Sequence, residues 1–185
     1  MGAVTAALAI DRHWNLIAHN ESVPPLLAGV DPSLLAGPIN VLRLSLHPLG
    51  LAPRIANLPQ WRAHLLARLR RDVELSADPV LVDLLRELRG YEFSGNGDAA
   101  RGAGAGAHVD ADTDTDADAG LDAGREPAGV VVPFRLRTDV GVLSFVSTTT
   151  VFGTPLDVTL SEIALESFFP ADQATADKLR RLQRG

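Results

Sequence analysis

The sequence predicts a single α+β domain with a mostly antiparallel sheet of five strands. Two observations support this. Strand-like apolar runs stand at both ends of the 185 residues, and two helical leucine stripes stand between them. At 46% hydrophobic and 22% charged residues the composition is that of an ordinary globular protein, and the length suits one domain. We expect the helices to lie over one face of the sheet, where they enclose an apolar pocket.

The N-terminal block predicts a hairpin of two short strands. An apolar run from Val4 to Ile10 is followed by the turn residues Asp11 to His13, and a second strand runs from Trp14 to Ala18. Prolines make the next stretch irregular, and residues 40–46 have room for one or two helical turns.

Two helices follow, and both have recognisable starts. The first begins at Asn57, which stands three residues before Gln60 in a spacing like that of a capping box, and its apolar stripe runs to Val73. The second is predicted to begin at the cap Asp78 and to end at Gly90.

The C-terminal part predicts three strands and a helix. Strands are expected at 130–136 and 142–152, since these runs are rich in β-branched and aromatic residues. Residues 160–169 fit a helix or a strand, and we favour a strand. Asp172 then caps a final helix.

Residues 94–129 are predicted to be a disordered acidic insert rich in Gly, Ala and Asp, so the domain comprises residues 1–93 and 130–185. The insert holds eight of the 23 acidic residues and two of the 17 basic ones, which leaves 15 of each sign elsewhere. Its aspartate ladder does not fit a calcium loop, because Ala119 stands where the loop needs glycine.

The composition argues against several classes of protein. The balanced charge outside the insert lacks the basic excess that binds phosphate backbones, so we expect this chain alone not to bind DNA. No apolar run reaches the ~18 residues of a membrane span. The absence of cysteine rules out thiolate zinc sites and is compatible with the cytoplasm, where we expect the protein to be.

Catalytic motifs are largely missing, so we expect no enzyme activity, no metal and no cofactor. The five histidines are scattered, and a local or surface role is expected for each. Glu162 and Glu166 would share one strand face, and a solvated face is the favoured interpretation.

One charged residue falls inside an apolar arc. With helical positions about 100° apart and Trp61 at zero, Arg62 lies at about 100°, between Leu69 at about 80° and Val73 at about 120°. Because a buried guanidinium must be paired, we expect Arg62 either to extend outward to solvent or to pair locally with a carboxylate or carbonyl group, or else to receive the anionic head of an apolar ligand.

We expect the ligand pocket to be lined by that arginine together with apolar side chains of the helix and of a facing strand. The predicted site residues are Arg62, Trp61, Leu65, Leu69 and Phe145.

Three long phrases carry a resemblance to a known family: DRHWNLIAHN, NVLRLSLHPLGLAPRIANLPQWRAHLLARLRR and STTTVFGTPLDVTLSEIALESFFPAD. They resemble the C-terminal ligand-binding domain of MmyB-like transcription regulators of actinobacterial type. The resemblance implies a PAS-like fold with a five-stranded antiparallel sheet, and a fatty-acid-like effector. It also implies that DNA is contacted only through an XRE-type helix-turn-helix domain upstream, for which this sequence has no room before its first strand.

Three functions remain open at this point. The leading hypothesis is a sensor whose small apolar ligand shifts a conformational or homodimer equilibrium. The alternatives are a dimerisation scaffold without a ligand and a small enzyme that uses the same pocket.

The insert generates the first testable prediction. Replacing residues 95–126 with a short Gly/Ser linker should leave the thermal midpoint within a few degrees of the parent chain, because the segment offers little to bury and loop-closure entropy grows slowly with length. Differential scanning calorimetry measures this. Loss of cooperative unfolding would show that the insert belongs to the folded structure.

Overall fold

The computed structural model describes residues 5–92, 132–151 and 163–183. The predicted insert and Glu162 lie outside these ranges. The described strands are β1 Ala6–Ile10, β2 Leu16–His19, β3 Phe134–Thr138, β4 Gly141–Val151 and β5 Ala164–Pro170. The described α-helices are α1 Val41–Leu46, α2 Leu58–Ser76, α3 Pro79–Arg89 and α4 Gln173–Leu182. Short 3₁₀ helices occupy Pro24–Leu27, Pro32–Leu34 and Ala52–Arg54.

The five strands form one antiparallel sheet in the order β2-β1-β5-β4-β3. This confirms the predicted α+β class. β1 and β5 come from opposite ends of the chain and pair in the middle of the sheet, so neither end of the sequence can complete it alone. The strand favoured for residues 160–169 is β5.

The sheet buries one face under the helices, as the alternation of side chains shows. In β4 the side chains of Leu143 and Phe145 are fully buried, whereas Val142 and Thr148 are exposed. Side chains of α1 and α2 cover the buried face, and α3 packs against both of these helices. α4 follows β5 and contacts β4 and β5.

Asp78 and Asp172 cap α3 and α4 as predicted, through their carboxylate oxygens and the backbone N–H groups of Val80 and Thr175. Asn40 caps α1 in the same way. α2 begins directly after Asn57 as predicted, but the predicted capping role of the Asn57 side chain was wrong, because this side chain makes no capping bond to α2.

Asn57 instead ties the start of α2 to the outer edge of β3. Its Nδ2 donates to the carbonyl of Pro133 at 2.8 Å, and its Oδ1 accepts from the N–H of Arg135 at 3.2 Å. The neighbouring Ala56 N–H donates to the carbonyl of Arg135, and Ile55 forms an isolated antiparallel β-bridge with Leu136. β3 is an edge strand, so one of its sides has no neighbouring strand. Residues 55–57 bond to backbone groups on that side.

Asn57→Asp tests whether Asn57 acts as a helix cap or as a tether, meaning a link between the start of α2 and β3. Aspartate is as good a cap as asparagine, but here it would place an acceptor against the carbonyl oxygen of Pro133. We expect the unfolding free energy to fall by about 1–2 kcal/mol, which urea unfolding measures.

Asp172→Asn is the matched control, since Asp172 is a simple cap and asparagine retains the accepting oxygen. We expect little change in its unfolding free energy. Equal tolerance of both substitutions would contradict the tether.

Candidate functional site

An apolar cavity of about 100 Å³ lies between the buried face of the sheet and the helices. Its walls come from β1, the start of β2, the 3₁₀ turn at Pro24–Leu27, α1, α2 and the facing strands. The wall residues include Leu8, Trp14, Trp61, Leu65, Arg68, Phe145 and Glu166. Among the described wall residues only Arg68 and Glu166 carry a charge.

Three of the five predicted site residues line this cavity. Trp61 and Leu65 on α2 face it, and Phe145 lies opposite on β4. The indole N–H of Trp61 donates to Ser45 Oγ at 3.0 Å, so its polar atom is satisfied inside the wall. Leu69 is fully buried in the hydrophobic core but is not among the described wall residues.

Arg62 is not among the wall residues either. Its Nη2 donates to the carbonyl oxygens of Leu88 at 3.2 Å and Arg89 at 3.0 Å, at the C-terminal end of α3. The last carbonyl groups of a helix have no partner within the helix, and a cation is favourable there. Of the two expectations for Arg62, the structure therefore agrees with local pairing to carbonyl groups.

The cation in the cavity wall is Arg68, which the sequence reasoning missed. On the wheel used for Arg62, Arg68 lies about 20° from Trp61 in the direction away from the apolar arc. Asp72 lies about 20° from Trp61 in the direction of the apolar arc. The same arithmetic could have found both residues, because they lie next to the Trp61 position that served as its origin.

Glu166 lies in the middle of the sheet and is 3% exposed. On β5 it is the register partner of Leu8 on one side and Thr149 on the other. The expectation of a solvated face is therefore wrong for Glu166. The strand alternation places it on the helix-covered face together with Phe168, and a carboxylate there must be paired.

Arg68 and Thr149 provide that pairing. Arg68 Nη2 donates to Glu166 Oε1 at 2.5 Å, and its Nη1 lies 3.4 Å from Oε2. The Thr149 hydroxyl donates to Oε1 at 2.7 Å and accepts from Arg68 Nη2 at 2.9 Å. Arg68 and Glu166 in the cavity wall therefore form a closed polar network with Thr149, which is exposed and lies beside them.

Trp14 holds the other side of the Arg68 guanidinium. The guanidinium carbon lies 4.7 Å from the centre of the Trp14 ring, and Trp14 Nε1 donates to Asp72 Oδ2 at 3.0 Å. Burial raises the pKa of the Asp72 carboxyl, and the bond from Trp14 and the charge of Arg68 offset part of that rise.

The backbone of Trp14 is left-handed, with φ at 66°, which is unfavourable for a bulky residue. Trp14 thus belongs to the turn, so the prediction that it begins the second strand was wrong, because β2 begins at Leu16. Asp11 holds this turn, since its Oδ1 accepts from the N–H groups of His13 and Asn15. His13 Nε2 in turn lies 2.8 Å from Asp78 Oδ2, which anchors the hairpin to α3.

A second, more polar cavity of about 320 Å³ adjoins this region. We call the apolar cavity the inner cavity and this second one the outer cavity. Trp14 and Arg68 line both cavities, so they stand at the boundary between them. The outer cavity also includes Asp11, Asp72 and Asp78.

Residues 3–182 match the family model described as MmyB-like transcription regulator ligand binding domain. The chain belongs to this family. The domain is therefore the ligand-binding part of a transcription regulator, which agrees with the apolar cavity between the sheet and the helices and with the resemblance found in the sequence. No curated protein matches the chain.

No described helix is long and apolar enough to cross a membrane. Within residues 5–92, 132–151 and 163–183, no group of three or more His, Cys, Asp or Glu residues could hold a metal ion.

The position of Arg62 makes a test of its role possible. Arg62→Met should lower the unfolding free energy by about 1–2 kcal/mol, since it removes a charged donor from two carbonyl groups of α3. It should leave the affinity for dodecanoate unchanged. Dodecanoate serves here as a probe for the fatty-acid-like effector that the resemblance implies. Urea unfolding and calorimetric titration measure the two effects.

Arg70→Met is the control on the same helix, because Arg70 is exposed. We expect neither property to change. Loss of dodecanoate affinity in Arg62→Met, without loss of stability, would return Arg62 to the role of a head-group receptor.

Proposed function

We propose that this MmyB-like domain senses a fatty-acid-like molecule whose apolar chain occupies the inner cavity and whose acidic end meets Arg68. The observation that carries the proposal is a cavity with apolar walls and a single guanidinium, that of Arg68, among its described residues. Guanidinium groups bind carboxylates through parallel hydrogen bonds, and apolar walls favour an alkyl chain.

The size of the cavities supports a flexible ligand that reaches both. Pockets for drug-sized ligands measure roughly 300–1,000 Å³, so the inner cavity alone, at about 100 Å³, accepts only part of such a molecule. A longer ligand either extends past Arg68 into the outer cavity or separates α2 from the sheet. The second possibility would couple occupancy to the position of α2.

Membership of the family supports a proposal about the wider role of the domain. We propose that the domain has a PAS-like fold, acts in an XRE-family regulator of actinobacterial type, and is not an enzyme. It would influence DNA only through a separate helix-turn-helix domain. We propose that it works in the cytoplasm, because a regulator of transcription acts beside the DNA. Ligand binding would shift a conformational or homodimer equilibrium.

Native mass spectrometry of the freshly purified chain distinguishes the three candidate functions. A co-purified amphiphile supports the sensor. A dimer that carries no ligand supports a scaffold, and conversion of an added amphiphile to a product of different mass supports an enzyme.

The role of Arg68 is tested with the double variant Arg68→Met, Glu166→Gln. This pair of substitutions removes the cation without leaving a buried carboxylate unpaired. Affinity for dodecanoate should fall by roughly 10- to 150-fold, corresponding to about 1.5–3 kcal/mol for a hydrogen bond to a charged group. Calorimetric titration measures it.

Dodecan-1-ol and Arg70→Met serve as controls. The alcohol has the same chain and no charge, so the double variant should bind it nearly as well as the parent does. Arg70→Met should bind both compounds normally. Equal losses for the acid and the alcohol in the double variant would overturn the head-group role of Arg68.

A further inference from the structure

The Arg68–Glu166 pair has a consequence for the charge of a bound ligand. Glu166 is 3% exposed, and the cation that contacts it, Arg68, is already engaged with it and with Thr149. Among the described residues of the inner cavity wall there is no second cation. The charge of the wall is therefore balanced before a ligand enters.

A ligand carboxylate that reached Arg68 would bring a second anion next to Glu166. One guanidinium, whose side chain is 22% exposed, would then face two carboxylates, and one of these, Glu166, is buried. Two carboxylates in such close contact do not both stay ionised, and the pair retains one proton between them. The proton is held by the pair and not by either group alone.

We propose that this site binds a carboxylic-acid ligand together with one proton, which is shared between the ligand carboxyl and Glu166 beside Arg68. This inference rests on the proposed binding of an acidic amphiphile in the same cavity. The proton comes from solvent, and no covalent bond to the ligand forms or breaks. A ligand with a neutral head leaves the Arg68–Glu166 pair intact and takes up no proton.

The other charged groups near Glu166 define the controls. From α2, Asp72 faces the same region and interacts with both Arg68 and Glu166, and Arg71 acts on Asp72. From the β1–β2 turn, Asp11 and Arg12 line the outer cavity. Leu8 on β1 and Thr149 on β4 are the register partners of Glu166, and neither side chain carries a group that ionises near neutral pH.

His13 and Asp78 complete the surroundings. They form a pair in which Asp78 lines the outer cavity. Dodecan-1-ol occupies the same space as dodecanoic acid without bringing a carboxyl group. Its titration therefore reports any protons that these other groups take up when the cavity fills.

The experiment is isothermal titration of the full chain with dodecanoate and with dodecan-1-ol, in buffers of different ionisation enthalpy between pH 7.0 and 8.5. We expect uptake of close to one proton per dodecanoate, and of almost none per alcohol. Dodecanoate affinity should correspondingly fall about tenfold for each unit rise in pH. Binding of both compounds without a difference in proton uptake would overturn the proposal but leave the proposed function standing. Failure of both to bind would instead count against the proposed function.

Two variants locate the proton. Glu166→Gln keeps an oxygen for Thr149 and removes the competing anion, so proton uptake should vanish and dodecanoate affinity at pH 8 should rise about tenfold or more. Asp72→Asn keeps an acceptor for Trp14, and proton uptake should be unchanged. Loss of uptake in Asp72→Asn, with retention in Glu166→Gln, would move the proton to Asp72 and refute the assignment. Because the wild-type titration needs no variant, an unstable Glu166→Gln protein would leave the main test intact.

Discussion

Glu166 is a carboxylate in the middle of a sheet, and the arrangement around the cavity depends on how it is paired. An isolated charge at 3% exposure is prohibitively unfavourable, so Arg68 has to reach it from α2 and Thr149 has to donate from the next strand. These bonds require one rotation of α2 about its own axis. That rotation also turns Trp61 and Leu65 toward the sheet, so the polar network and the apolar wall share one geometric cause.

Trp14 connects this network to the N-terminal hairpin. Its ring lies against the Arg68 guanidinium and its indole N–H bonds Asp72, while its own backbone is held in a left-handed conformation. Strain of this kind persists where surrounding contacts over-determine a residue, and here Asp11 and α2 supply those contacts. The hairpin, α2 and β5 therefore meet at one point, which is also the boundary between the two cavities. A ligand that disturbs Arg68 disturbs all three.

The strands and helices could be predicted to a large extent, because their signals are local. The β5 assignment was correct although residues 160–169 also fitted a helix, and the caps Asp78 and Asp172 stand where their sequence positions indicate. Asn57 shows the limit of such signals. The same side chain can cap a helix or bond a strand edge, and only the presence of β3 beside it decides between them.

The sequence by itself determined the α+β class, the number of strands and the apolar stripe of α2, because periodicity and capping act within a few residues. It also located Trp61, Leu65 and Phe145 on the cavity side. Only the tertiary structure decided which part of the α2 stripe faces α3 and which faces the sheet. That division sends Arg62 to the carbonyl groups of α3 and Arg68 to Glu166, 98 residues away along the chain. A helical wheel shows that a charge lies within or beside the apolar stripe, but the partner of that charge comes from whichever element covers that side of the helix.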